Sequence, residues 1–129
     1  MATTDEFGCA HCFQTTPEAA WQARLPLVAE LLDESHFTVR IQECPHCGQR
    51  FVSIFTEMID WSAGDDAQYW SVLPLTRDES EILLAQGEGV DVKLIESFGR
   101  GRRYLQRDYP TGKPERLQWH ADLWIGPHD

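Results

Sequence analysis

Cys9, Cys12, Cys44 and Cys47 are the four cysteines of the chain, and they fall as two Cys-x-x-Cys pairs separated by a long segment. Two intervening residues let a tight turn aim both sulfurs of a pair at one point, so each pair supplies half of the thiolate tetrahedron that a zinc ion favours. In Glu43-Cys44-Pro45-His46-Cys47-Gly48, Pro presets one backbone angle and Gly tolerates the positive φ that a turn around a metal needs. The first pair, Cys9-Ala10-His11-Cys12, lacks both aids, and the assignment rests on having two pairs with no cysteine left over. His11 and His46 lie inside the pairs, but four thiolates already complete a tetrahedron, so their rings are expected to sit exposed and shield the sulfurs. The expected cofactor is one structural zinc per chain; four thiolates also suit iron. A redox pair is the competing chemistry. It calls for a strand entering the motif and a helix leaving it, whereas Cys44 is followed by a strand-like run.

Other residues invite weaker readings. Phe98-Gly99-Arg100-Gly101-Arg102-Arg103-Tyr104-Leu105-Gln106-Arg107 interleaves arginines with glycine and tyrosine, and Arg100, Arg102, Arg103 and Arg107 could grip phosphates of a nucleic acid while the ring stacks on a base. Pairing of those arginines with acidic side chains is the plainer account. Of the five tryptophans, Trp21, Trp61, Trp70, Trp119 and Trp124, Trp61 and Trp70 flank the acidic Asp65-Asp66 stretch and could anchor a partner protein. His120, Asp122, His128 and Asp129 are metal-capable types whose spacing matches no metal motif. No nucleophile triad, phosphate-cradling loop or paired-carboxylate pattern stands out, and a closed thiolate site leaves no position for a reactive water. The sequence therefore leans away from an enzyme.

The elements that must position the cysteines can be read from capping and periodicity. Thr15-Thr16-Pro17-Glu18 offers a capping box with Thr15 as N-cap. Trp21, Leu25, Val28 and Leu32 follow at helical spacing, so a helix kinked or divided at Pro26 is expected up to Asp33-Glu34-Ser35-His36. Phe37, Val39 and Ile41 alternate with Thr38, Arg40 and Gln42, which predicts a strand running into the second pair and returning over residues 49–57. Asp60 to Trp70 reads as a loop and Tyr69 to Leu73 as a strand. Thr76-Arg77-Asp78-Glu79 opens a second capped helix ending near Gly87, and residues 87–98 allow a short helix or a strand. Residues 103–109 and 116–120, around Pro110-Thr111-Gly112-Lys113-Pro114, predict a hairpin.

The two Cys-x-x-Cys knuckles, the second at a hairpin tip, resemble the zinc-ribbon group over about the first sixty residues. The resemblance implies a structural zinc. It leaves the function open, because such ribbons serve nucleic-acid binding, protein docking and scaffolding alike. The expected fold is α+β: a ribbon with a helical insert over residues 1–60, then antiparallel hairpins and short helices over 61–129, all within one domain.

Charge bounds the partners. Up to Gly99 the chain has 5 basic and 17 acidic residues, net −12, and from Arg100 onward 6 basic and 4 acidic, net +2, within a total of −10. An acidic body disfavours nucleic acid, because phosphate neutralisation dominates that affinity; another protein is the expected partner. Residues 1–6 carry acidic charge where a secretory leader would be basic, and no apolar run reaches membrane-spanning length, so a cytoplasmic setting is expected. The metal is expected to hold down Met1 to Gly8, which has little apolar content.

Overall fold

The computed structural model describes residues 7–129; Met1 to Glu6, where most of the segment expected to be held down lies, fall outside the described residues. One antiparallel sheet of six strands in sequential order organises the α+β chain: β1 (Leu27–Glu34), β2 (Phe37–Glu43), β3 (Arg50–Met58), β4 (Ala67–Leu75), β5 (Arg103–Tyr109) and β6 (Arg116–Ala121). Three helices accompany it, α1 (Pro17–Gln22), α2 (Arg77–Gln86) and α3 (Val92–Phe98), with a single 3-10 turn at Gly87–Gly89 between the last two. Among the described residues no helix is long and apolar enough to cross a membrane.

The alternation in β2 fixes the faces of the sheet. Val39 pairs with Ile54 and Ile41 with Val52, and Val52 in turn pairs with Leu73, so one face carries a continuous apolar row. Leu83 of α2 and Ile95 of α3 complete that core with Tyr104. The Thr76 side chain accepts from the Glu79 amide while Glu79 returns a bond to the Thr76 amide, which explains where α2 begins. Within residues 87–98 the stretch Val92–Phe98 forms a helix rather than a strand, because the Asp91 carboxylate caps the amides of Lys93 and Leu94.

The stretch before β2 departs from expectation. The N-cap is Thr16, not Thr15, and α1 ends at Gln22; Leu27–Glu34 is a strand where a continued helix was expected. Pro26 cannot donate to a preceding turn, and Ala23 is already extended. Two bulges interrupt the strand's period of two, leaving Val28 and Leu31 without opposite numbers in the register with β2. The second bulge lets the adjacent Leu31 and Leu32 both pack on the core. The insert between the cysteine pairs is thus one short helix and an edge strand. Similarly, β4 begins at Ala67, so residues 67–70 are strand rather than loop.

Along β4, β5 and β6 the core face turns polar. Ser71 pairs with Gln106 and Tyr69 with Asp108, and these pair onward with Gln118 and Arg116. Asp108 is 4% exposed; its Oδ2 meets the Arg116 guanidinium at 3.4 Å, while Oδ1 has no partner. Burial pushes its carboxyl above the ordinary range, against the pull of Arg116. A group whose folded-state value lies above the unfolded one, about 3.9 for Asp, contributes most below the unfolded value and costs stability as pH rises through the window above it. Asp108→Asn is therefore expected to raise the melting temperature relative to the parent at pH 7, with the gap closing towards about pH 4. Thermal unfolding of both proteins across that range checks this. Comparing the two at each pH cancels the titration of groups they share.

Candidate metal centre

The second cysteine pair occupies the turn between β2 and β3, two middle strands, so it is carried by a hairpin with a neighbouring strand on each side. The Cys44 amide donates to Gln49 O and the Gly48 amide to Cys44 O, closing the knuckle. Gly48 has φ +77°, the left-handed value its type allows. The first pair lies in a turn of its own, in which the amides of Cys12, Phe13 and Gln14 all converge on Cys9 O.

These two turns bring Cys9, Cys12, Cys44 and Cys47 together, with all four sulfurs within 4.8 Å of one another. Sulfur–sulfur separations are 3.8 Å for Cys9–Cys12, 3.9 Å for Cys9–Cys44 and 3.8 Å for Cys12–Cys47. A tetrahedron with metal–sulfur bonds of about 2.3 Å has edges of about 3.8 Å. Three of the six edges thus have the length a zinc-sized ion requires, and the remaining three stay within 4.8 Å. Backbone amides of Cys9 and His46 point at the sulfurs of Cys12 and Cys44, at 3.3 and 3.4 Å, as befits thiolates that need donors.

The thiols differ in their surroundings. Cys12 and Cys44 are buried, Cys9 is half-buried and Cys47 exposed. Burial pushes the Cys12 and Cys47 thiols up, and neighbouring sulfurs add to the effect. At Cys9 the burial penalty is outweighed by the amides of His11 and Cys12 and by adjacent thiols, and its value falls to about 7. Four clustered sulfurs that resist joint ionisation call for a cation among them.

The support around the cluster was not evident from the motifs. Phe7, Phe13 and Phe51 pack with Cys12 and Cys44 into a second apolar cluster, on the face of the sheet opposite the main core. The Gln49 carboxamide accepts from the Gly8 amide and donates to Arg50 O and Leu75 O, tying the first turn to the hairpin and to the end of β4. Trp119 donates to Thr15 O, and the Arg103 guanidinium lies 4.2 Å from the Phe13 ring and 4.3 Å from the Trp119 ring while donating to Phe13 O. The C-terminal hairpin thus clamps the N-terminal turn. Cys12-Phe13 was the available signal: an aromatic directly after a ligand must pack beside the metal.

The remaining candidates are placed as follows. Arg102 makes a two-point pair with Glu79 and reaches Pro74 O, and Arg107 pairs with Glu115 between Trp21 and Trp70. Of the four arginines considered for phosphate contact, Arg100 alone is exposed. Trp70 is half-buried against Trp21 and Phe55, whereas Trp61 is 87% exposed. His11 and His46 are exposed and lie against each other with ring centroids 4.1 Å apart. His120, Asp122, His128 and Asp129 do not converge: among the described residues the four cysteines are the one metal-capable cluster. Asp122 instead accepts from the Gly101 amide, His128 stacks on Phe37, and Asp129 accepts from the Ile59 amide.

Comparison with protein-family models, with curated proteins and with solved structures gave no match to this chain.

Gly8 distinguishes a packed position from a merely strained one. A Cβ there would stand 2.4 Å from Phe13 Cβ and 2.9 Å from Cys12 Sγ, with φ at +65°, whereas one at Gly48 would meet nothing. Gly48→Ala is expected to cost about 1 kcal/mol, the left-handed penalty alone. Gly8→Ala is expected to cost more and to weaken metal retention. Denaturant melts and competition with a chromogenic chelator measure the two effects.

Proposed function

We propose that this chain is a structural zinc protein, one ion per chain on Cys9, Cys12, Cys44 and Cys47, acting without catalysis as a protein-interaction or adaptor module in the reducing cytoplasm. The observation that carries the metal reading is the sulfur geometry: all four lie within 4.8 Å of one another, and three of the six edges, at 3.8 to 3.9 Å, match a tetrathiolate ion. A closed set of four thiolates leaves no coordination position for water or substrate, so the metal's contribution is to folding. In this reading Cys9, despite its lowered thiol, is held as a ligand; the rival oxidoreductase reading needs it free.

The interaction reading is supported by the loop between β3 and β4. The Asp60 carboxylate accepts from the amides of Ser62, Ala63 and Asp65 and from the Ser62 hydroxyl, and its affinity for a proton is lowered by those donors. Thr111 and Gly112 bind Asp65 from the β5–β6 turn. An otherwise fully displayed Trp61 therefore stands on a loop that is already ordered, which reduces the entropy a partner must overcome. The nucleic-acid reading loses support, since Arg102, Arg103 and Arg107 are engaged within the chain.

Two measurements test these readings. Elemental analysis of untagged protein is expected to give one zinc per chain, with four thiols titrating only after chelation; chelation or Cys44→Ser is expected to abolish cooperative unfolding of the N-terminal cluster. A metal-free, readily oxidised preparation would transfer the site to thiol chemistry, and a coloured iron-bearing one would change the ion. Trp61→Ala is expected to leave stability within about 0.5 kcal/mol of the parent while removing partner cross-links made through the loop in cells. Unchanged cross-links would dismiss the Trp61 surface.

A further inference from the structure

The polar end of the core face lines a cleft of about 590 Å³ between β4, β5, β6 and the C-terminal segment. Its floor is unlike the rest of that face. Where Val39, Ile41, Val52, Ile54 and Leu73 fill the equivalent positions elsewhere, Gln106 and Asp108 occupy core-like positions here at 6% and 4% exposure. An apolar pair would fill such positions at no desolvation cost, whereas a carboxylate without a full set of donors is costly. Gln106 is engaged, accepting from the Gln118 carboxamide at 3.3 Å. Asp108 is not fully matched: its contact with Arg116 is long, and the Arg116 side chain is 61% exposed. Oδ1 has no partner.

Around this acidic floor the chemistry reverses. Arg116, which contacts Asp108, and Lys113 line the cleft with no second carboxylate, and Lys113 has no ion pair among the described residues. His120 also lines the cleft. In a chain of net charge −10 this is a local excess of cations above a single buried anion. One wall is aromatic, formed by Tyr69 and Trp124 edge to face with centroids 5.2 Å apart. Trp124 is held there by two bonds of its main chain: its amide donates to Tyr104 Oη and its carbonyl accepts from Ser71 Oγ. A simple cation would meet Lys113 and Arg116, and a simple anion would meet Asp108. A molecule carrying both signs a few bonds apart satisfies all three.

We propose that this cleft binds a small zwitterion of the amino-acid class, with its ammonium on the Asp108 carboxylate, its carboxylate between Arg116 and Lys113, and its side chain against Tyr69 and Trp124. Binding needs no bond making, and it is independent of the metal reading because none of the cysteines lines the cleft.

The test uses the full metal-loaded chain and three probes at about pH 6.5, where α-amino groups carry their proton. L-norleucine has both charges, its methyl ester only the ammonium, and N-acetyl-L-norleucine only the carboxylate. Norleucine is expected to give saturable shifts in the Gln106 and Gln118 side-chain amides and the Trp124 indole. Each blocked probe is expected to bind at least about tenfold more weakly, the loss of one charge-assisted contact. Asp108→Asn should weaken norleucine about tenfold while leaving the fold intact, and Arg116→Gln should weaken norleucine without weakening the ester. No shift at millimolar norleucine would overturn the proposal. So would equal affinity for either blocked probe, or norleucine binding untouched by both substitutions.

Discussion

Four sulfurs contributed by two turns 35 residues apart must share a sphere only a few ångströms across, and the rest of this structure depends on that convergence. Thiolates at such distances repel one another strongly in a partly buried site, and a divalent cation among them would turn the repulsion into a cross-link. Structural zinc contributes on the order of 10 kcal/mol in small fingers, comparable with the whole stability of a domain this size. Here the sulfur cluster gathers a segment that has no strand of its own. Residues 7–16 contribute no β-pairing, and what attaches them to the sheet is the sulfur cluster, three phenylalanines, the Gln49 carboxamide and the clamp of Arg103 and Trp119.

That dependence explains the division of charge along the sequence. A body of net −12 and a tail of net +2 look like two surfaces, yet Arg102, Arg103 and Arg107 of the tail are spent inward. Exposed ion pairs contribute little, but Arg102 and Glu79 are only 14% and 16% exposed and meet in a two-point geometry that specifies orientation. Since Glu79 also closes the capping box of α2, the same carboxylate joins the start of that helix to β5. Arg103 and Arg107 act mainly through their flat faces, each set against two aromatic rings. An interleaving of arginine and aromatic residues that could stack on bases is here satisfied by tryptophans of the same chain.

What could be read in the sequence was whatever is specified locally. The β2–β3 hairpin, the capping box at Thr76, the C-terminal hairpin and the four ligands each carry their cause within a few residues. β1 does not: it is an edge strand whose bulges place Leu31 and Leu32 side by side on the core, and a bulge erases the period of two that identifies a strand. Only its pairing with β2 distinguishes it from the helix its periodicity suggests. The clamp around Phe13 was illegible for a different reason, since Arg103 and Trp119 reach it across about ninety and a hundred residues of sequence.

The two faces of the sheet end up stabilised by different means. On one, the cysteine cluster and its aromatic neighbours substitute for the strand or long helix that would otherwise cover Phe51 and Val72. On the other, α2, α3 and Leu83 cover the apolar row as far as Tyr104, after which the face continues as Ser71, Gln106 and Asp108. Hydrophobic burial alone would have extended the apolar row to the sheet's edge, as the packing of Leu123 and Ile125 on the main core already begins to do. Stability therefore argues against Asp108 in its position, and a residue held against the demands of stability is where selection for binding is most economically sought.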